Sequence, residues 1–140
     1  HRLGALEILL VEDNRLNQLL ATKVLSRWSF TTDVAENGFQ ALEMMSKKSY
    51  DLVLMDVQMP VMNGLVTTRS IRQSGPQKAI PIIAMTAHAE ASERQKCLSA
   101  GMNDYLTKPF DMADLYGKIA AAVQESRSKS PKAANTTSLV

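Results

Sequence analysis

Residues 6–13 read LEILLVED, an apolar run that ends in two carboxylates. A second run of the same kind, DLVLMD at residues 51–56, also ends in an acid, Asp56. Near-continuous apolar runs of this length are typical of strands buried on both faces of a parallel sheet. A carboxylate at the end of such a strand is unfavourable for stability, but it lies where open α/β sheets form their sites. The two runs therefore indicate both a fold class and a place for chemistry.

Helical periods and further apolar runs alternate along the rest of the chain. A four-residue recurrence predicts a first helix with Asn14 as its N-cap and an apolar face made of Leu16, Leu19, Leu20, Val24, Leu25 and Trp28. Proline and glycine punctuation predicts a turn at Asn37-Gly38 and a loop at residues 59–64. The other predicted elements are strands at 30–35, 80–85 and 104–107 and helices at 39–45, 65–74, 90–100 and 112–123.

Five successive strand–helix pairs predict an α/β fold with a single doubly wound, five-stranded parallel sheet. The expected strand order is 2-1-3-4-5, the flavodoxin-like order, with five helices on the two faces and the polar second strand at an edge. We expect one domain over residues 1–125. Residues 126–140 are rich in Ser, Lys, Ala, Asn and Thr and predict a disordered tail or linker.

Composition excludes several classes of function. Three of the 16 basic residues follow Glu125, so residues 1–125 hold 13 basic and 14 acidic residues and are close to neutral. Without a basic stripe, nucleic-acid binding by this domain is not expected. No run approaches the roughly 18 apolar residues of a membrane span, so membrane contact is not expected either. The single cysteine, Cys97, predicts a small apolar filler on a helix and fits a cytoplasmic setting.

The strand ends carry residues that suit Mg²⁺ chemistry on a phosphoryl group. In the predicted order the first and third strands are neighbours, which brings Glu12, Asp13 and Asp56 into one small volume. Their mutual repulsion calls for a proton or a divalent cation, and Mg²⁺ prefers such oxygen ligands. Asp56 is a candidate nucleophile, because carboxylates form acyl phosphates. Lys108 and the Thr86 hydroxyl, at the ends of two further strands, are placed to stabilise a phosphoryl group.

Each of these residues also has an ordinary structural explanation. A strand-end aspartate is usually a cap, Glu12-Asp13 suits the helix dipole, Thr86 suits a cap, and Lys108 suits a solvated surface. Four strand ends that each carry a group the same reaction needs favour the functional interpretation. His88 is expected to be a surface-loop residue rather than a phosphoryl carrier.

The sequence resembles the receiver domains of two-component response regulators. The resemblance covers residues 6 to about 124. It rests on the segments at residues 10–14, LVEDN; 55–64, MDVQMPVMNG; 86–87, TA; and 101–110, GMNDYLTKPF.

The resemblance implies a role for each matching residue. Asp56 is the phosphoacceptor, and Asp13 binds Mg²⁺ directly while Glu12 binds it through water. Gln58 contributes its backbone carbonyl to the metal, so its side chain is expected to matter little there. Lys108 pairs with the phosphoryl group, and the Lys108–Pro109 bond is expected to be cis. Thr86 and Tyr105 are similar to the family's switch pair.

Several details resemble receivers of hybrid sensor histidine kinases. These are Asn14 and Asn17, Gln58-Met59-Pro60, Thr86-Ala87-His88-Ala89 and Gly101-Met102-Asn103. The expected function is a phosphorelay module that takes a phosphoryl group from a histidine kinase or histidine phosphotransfer domain and is not itself an enzyme. It is expected in the cytoplasm, tethered to a membrane-bound sensor if the parent is one, with a weak homodimer on phosphorylation. Two alternatives stay open, a Mg²⁺-dependent aspartyl-phosphate phosphohydrolase and, less favoured by the charges, a flavin-binding module.

Overall fold

Strands and helices alternate five times in a computed structural model that describes residues 4–59, 61–75, 77–88 and 90–128. The strands are β1 (Glu7–Val11), β2 (Thr31–Ala35), β3 (Leu52–Asp56), β4 (Ile82–Thr86) and β5 (Asp104–Thr107). The helices are α1 (Arg15–Arg27), α2 (Gly38–Lys47), α3 (Gly64–Ser74), α4 (Ala91–Ala100) and α5 (Met112–Ser128). Among these helices, none combines the length and the apolar character that a membrane span requires.

The strands form one parallel sheet in the order β2-β1-β3-β4-β5, which confirms the predicted topology. β2, the polar strand, lies at an edge as predicted. The register aligns the strand ends, since Val11 pairs with Met55 and Asp56 pairs with Met85. Thr86 in turn pairs with Thr107. The residues at the ends of β1, β3, β4 and β5 therefore meet along one edge of the sheet.

Side chains along each strand alternate between two buried layers, as the two-residue period of a strand requires. Ile8 and Leu10 face the layer that includes side chains of α1 and α5. Leu9 and Val11 face the layer on the other side, which includes side chains of α2, α3 and α4. Cys97 of α4 is fully buried in this second layer, which agrees with its predicted role as a small filler.

Helix α1 differs from the sequence prediction in the face that it buries. Leu16, Leu19 and Leu20 belong to the predicted apolar face but are 63%, 54% and 56% exposed. The buried residues of the helix are Ala21 and Leu25. The predicted apolar face is therefore buried only in its second half, where Val24 and Trp28 also pack against the core, and the helix itself and its Asn14 cap are confirmed.

A polar side chain in α1 accompanies this difference. Gln18 Nε2 donates a hydrogen bond to the backbone oxygen of Glu12 at 2.7 Å. Gln18, Ala21 and Leu25 are spaced along one helical face, so this contact lies on the face that is turned toward the sheet. The neighbouring leucines are turned to solvent.

Three element boundaries also differ from the prediction. Asn37 caps α2 by accepting a hydrogen bond from Gln40 N at 2.8 Å, so the segment predicted as a turn is the start of a helix. β4 begins at Ile82 and not at Ile80, because Pro81 has no N–H to donate to a neighbouring strand. Helix α5 continues past the predicted domain boundary to Ser128, and the rest of the predicted tail lies outside the described residues.

Candidate functional site

The three carboxylates predicted to meet do lie together at the carboxyl edge of the sheet. Glu12 and Asp13 follow β1, and Asp56 is the last residue of β3. One carboxylate oxygen from each of the three lies within 4.8 Å of the others. Glu12 and Asp56 are both 2% exposed, whereas Asp13 is open to solvent. The site therefore consists of a buried acidic pair with a third carboxylate at its mouth.

Lys108 contacts both buried carboxylates. Its Nζ lies 3.2 Å from Glu12 Oε1 and 3.3 Å from Asp56 Oδ1. The backbone holds it there, because Lys108 N donates a 2.7 Å hydrogen bond to the oxygen of Thr86 just beyond the end of β5. The Lys108–Pro109 peptide is cis, as the resemblance implies.

Among the described residues the charges of the site do not balance, since three carboxylates face one ammonium group. Burial raises the pKa of Asp56 to about 6, and the negative charge on Glu12 also raises it. Lys108 and the hydrogen bond from the Gln58 amide lower this pKa, but they do not cancel the rise. A divalent cation would relieve this repulsion. The possible metal ligands are all carboxylate oxygens. Those of Glu12 and Asp56 are buried and those of Asp13 face water, which fits a hard cation such as Mg²⁺ that keeps part of its water shell.

Local backbone contacts shape the site around Glu12 and Asp56. Glu12 Oε2 accepts a hydrogen bond from Asn14 N at 3.1 Å and lies 3.4 Å from Asn17 Nδ2. At the end of β3, a Cβ atom on Gly64 would collide with the backbone oxygen of Asp56. Glycine at this position therefore allows α3 to start directly against the acidic strand end.

The two predicted switch residues lie on neighbouring strands, Thr86 at the end of β4 and Tyr105 in β5. Thr86 is fully buried, and its Oγ1 accepts hydrogen bonds from His88 N at 3.1 Å and Gln58 Nε2 at 3.2 Å. The ring of Tyr105 has the guanidinium of Arg94 at 5.6 Å and the ammonium of Lys118 at 5.4 Å from its centroid. His88 is exposed in the loop after β4, as predicted.

The side chain of Gln58 has contacts that the sequence analysis missed. Besides the bond to Thr86, its Nε2 lies 3.2 Å from Glu93 Oε2 of α4, and its Oε1 accepts from Ala87 N at 3.3 Å. The only sequence signal was the resemblance, which points to the backbone of Gln58. Glu93 carried no signal at all, because an acid in the first turn of a helix is already expected from the helix dipole.

Comparison with known proteins agrees with this geometry. Residues 8–120 match the family model of the response regulator receiver domain. Hybrid signal transduction histidine kinase B of Dictyostelium discoideum is 43% identical over 120 residues, which are 78% of this chain and 6% of that protein. The chain spans between 3% and 15% of the length of the curated relatives.

Two solved structures are informative neighbours. The receiver domain of a sensor histidine kinase from Pseudomonas aeruginosa, with magnesium coordinated in its active site cleft, is 40% identical with a TM-score of 0.80. The alignment covers 86% of this chain and 99% of that domain. The receiver domain of Ssk1 from Saccharomyces cerevisiae, in complex with the histidine phosphotransfer protein Ypd1, is 30% identical with a TM-score of 0.79. That alignment covers 87% of this chain and 91% of the other.

The chain belongs to the family of response regulator receiver domains. It is a receiver domain of two-component phosphorelay signalling, and its curated relatives include hybrid histidine kinases, as the sequence details indicate. The matches give no support to the phosphohydrolase alternative.

Proposed function

We propose that Asp56 is the residue that accepts the phosphoryl group and that the surrounding side chains make it reactive. The observation that carries this assignment is Lys108 Nζ at 3.3 Å from Asp56 Oδ1, inside a cluster of three carboxylates. An ammonium at this distance neutralises charge on the acceptor and then pairs with the phosphoryl oxygens. Neither a helix cap nor a solvated lysine explains this arrangement at a buried strand end.

A carboxylate oxygen of Asp56 attacks the phosphorus atom of a phosphohistidine. The phosphorus–nitrogen bond breaks, and the imidazole leaves with the electron pair and takes up a proton. The product is an acyl phosphate on Asp56. Asp13, Asp56 and the backbone carbonyl of Gln58 would hold Mg²⁺, with Glu12 acting through water. When bound, the ion supplies positive charge to the phosphoryl oxygens in the transition state.

Two further residues respond to the new group. Thr86 turns its hydroxyl toward a phosphoryl oxygen, and Tyr105 moves with it. Both contact α4 or its preceding loop, so the change alters the surface formed by α4 and β5. The receiver then has two states whose populations the phosphoryl group shifts.

The surface beside Asp56 suits a helical donor that carries the histidine. The exposed Leu20 on α1 lines a groove of about 340 Å³ together with Phe110, Lys108 and Glu12. Leu16, one helical turn before Leu20, is exposed as well. The donor must bring its phosphohistidine to Asp56, so this adjoining apolar surface becomes covered during transfer. We propose a histidine phosphotransfer domain as its occupant, docking with an apolar helical face on the leucines.

Small-molecule labelling tests the acceptor without a partner. Acetyl phosphate with Mg²⁺ should add one phosphoryl mass to the wild-type chain, and Asp56→Asn should abolish that addition. Asp51→Asn is the matched control, because it makes the same chemical change at an exposed carboxylate just before β3. Equal labelling of Asp56→Asn, or no labelling of the wild type, would overturn the assignment.

Measuring the phosphate that the chain releases distinguishes a signalling module from a phosphohydrolase. A phosphoacceptor with slow self-dephosphorylation releases at most about one phosphate per chain over the period in which the acyl phosphate persists. Rapid steady-state release of phosphate from small phosphomonoesters would support the enzyme alternative instead.

A further inference from the structure

The carboxamide of Gln58 bridges three parts of the molecule that surround the acceptor strand. Its two Nε2 hydrogens are directed to Thr86 Oγ1 and to Glu93 Oε2, both at 3.2 Å. Its Oε1 accepts from the backbone of Ala87, the residue after β4. Gln58 thereby connects the loop after β3, the end of β4 and the first turn of α4.

Thr86 is constrained by this bridge. Its oxygen accepts from Gln58 Nε2 and from His88 N, so both lone pairs are engaged. In the part of the chain that the structure describes, Thr86 Oγ1 is bonded to these two groups rather than to Asp56. Turning the hydroxyl toward Asp56 requires a rotation of the Thr86 side chain, which moves its oxygen relative to both partners, Gln58 and His88.

The other end of the bridge lies next to the contact of Tyr105. Glu93, the acceptor for Gln58, is followed by Arg94, whose guanidinium lies over the Tyr105 ring. One helical turn of α4 thus contacts the two switch residues, one through Gln58 and one directly. Moving this turn disturbs both contacts together.

We infer that Gln58 is a positioning residue whose side chain holds Thr86 and the first turn of α4 in the unphosphorylated arrangement and so opposes switching. The inference rests on the proposed function, since it assigns a second role at the same site. It differs from the metal role of Gln58, which uses only the backbone carbonyl and survives side-chain substitution.

Removing the Gln58 bridge should change the affinity for a phosphoryl group, because only the unphosphorylated state contains the bridge. Contacts made only before phosphorylation disfavour the phosphorylated state by their net strength, and removing them raises the apparent affinity for a phosphoryl group. A net hydrogen bond of ordinary strength changes an equilibrium by about three- to tenfold. Gln58→Ala should therefore tighten binding of a phosphoryl mimic by about three- to tenfold.

The experiment is a titration of the full chain with beryllofluoride, a phosphoryl mimic, in the presence of Mg²⁺. The variants are Gln58→Ala, Glu93→Gln and the double substitution. Glu43→Gln serves as the control, because it removes the same charge from an exposed helix remote from Thr86. Glu93→Gln should give a smaller gain than Gln58→Ala, and the double variant should match Gln58→Ala alone, because Glu93 acts through Gln58.

A second measurement works without metal or phosphoryl donor. Amide hydrogen exchange should speed up at Ala87 and in the first turn of α4 in Gln58→Ala. The amide of Val66, capped by Asn63 at 3.0 Å, should be unaffected. This readout stays valid if the wild type binds no beryllofluoride and accepts no phosphoryl group, a result that would overturn the proposed function alone.

Two outcomes would overturn the inference itself. One is an apparent affinity for beryllofluoride that is unchanged or weaker in Gln58→Ala while the wild type binds the mimic normally. The other is unchanged exchange at Ala87 in that variant. Gains from Gln58→Ala and Glu93→Gln that simply add would equally reject the bridge, because they would show that the two side chains act independently.

Discussion

Replacing Asp56 with asparagine should stabilise the metal-free protein while abolishing its function. The carboxyl is 2% exposed and lies next to Glu12, and these surroundings raise its pKa from 3.8 to about 6. A carboxyl whose pKa is raised on folding stabilises the fold below its unfolded pKa, and this stabilisation is lost as the pH rises through the folded pKa. At pH 7 Asp56 is therefore mostly ionised, and this ionisation lowers the free energy of unfolding.

The magnitude follows from the two pKa values. Their separation corresponds to about 3 kcal/mol of unfolding free energy at neutral pH. Asparagine resembles the protonated carboxyl in shape and charge, so Asp56→Asn should recover between about 1 and 3 kcal/mol. The gain should shrink as the pH falls from 6 toward 4.

Urea denaturation in the presence of a chelator, at pH 7 and at pH 4.5, is the assay. Asp13→Asn is the comparison variant, because that carboxylate belongs to the same cluster but is exposed to water. We expect Asp13→Asn to change the free energy of unfolding by less than Asp56→Asn. Adding Mg²⁺ should stabilise the wild type more than Asp56→Asn, since a ligand stabilises the state that binds it.

The reasoning would be refuted if Asp56→Asn in chelator at pH 7 were no more stable than the wild type. A gain that did not depend on pH would also refute it. In either case the ionised carboxylate would be adequately compensated by Lys108, and the electrostatic argument for a bound cation would lose its basis.

Three further predictions concern docking and the frame of the fold. Leu16→Ser with Leu20→Ser should slow transfer from a phosphorylated histidine phosphotransfer domain by about tenfold or more but leave acetyl phosphate labelling intact. Phe39→Ser, which changes an equally exposed side chain on α2, should leave both rates unchanged. Burial, and to a smaller extent a hydrogen-bonded carboxylate, raises the pKa of the Tyr50 hydroxyl to about 12. The free energy of unfolding of the wild type should therefore fall by about 2 kcal/mol between pH 10 and 12. Urea unfolding should show that Tyr50→Phe lacks this loss. Arg72 donates four hydrogen bonds of 2.6 to 2.9 Å that join α3 to the loops around β4 and β5. Arg72→Ala should therefore reduce the free energy of unfolding by about 3 kcal/mol. A loss below about 1 kcal/mol would contradict that role.

Much of the fold could be predicted because its signals are local. The runs that end at Val11 and Asp56 are continuous and apolar, and alternation of such runs with helical periods admits few topologies. The carboxylate cluster followed from that topology, since residues that end neighbouring parallel strands must meet. Lys108 followed from the same rule and from the resemblance.

The part of α1 that is buried and the contacts of Gln58 were decided only by tertiary structure. A four-residue recurrence of leucines indicates that a helix has an apolar face but not which part of that face the sheet covers. In the folded chain Ala21 and Leu25 are buried, and Gln18 on the same side bonds to Glu12. Gln58 and Glu93 are 35 residues apart, and their contact exists only because β3, β4 and α4 converge at one edge. Periodicity along a chain reports on neighbours within an element, whereas contacts between elements depend on the relative placement of whole strands and helices, which no local pattern encodes.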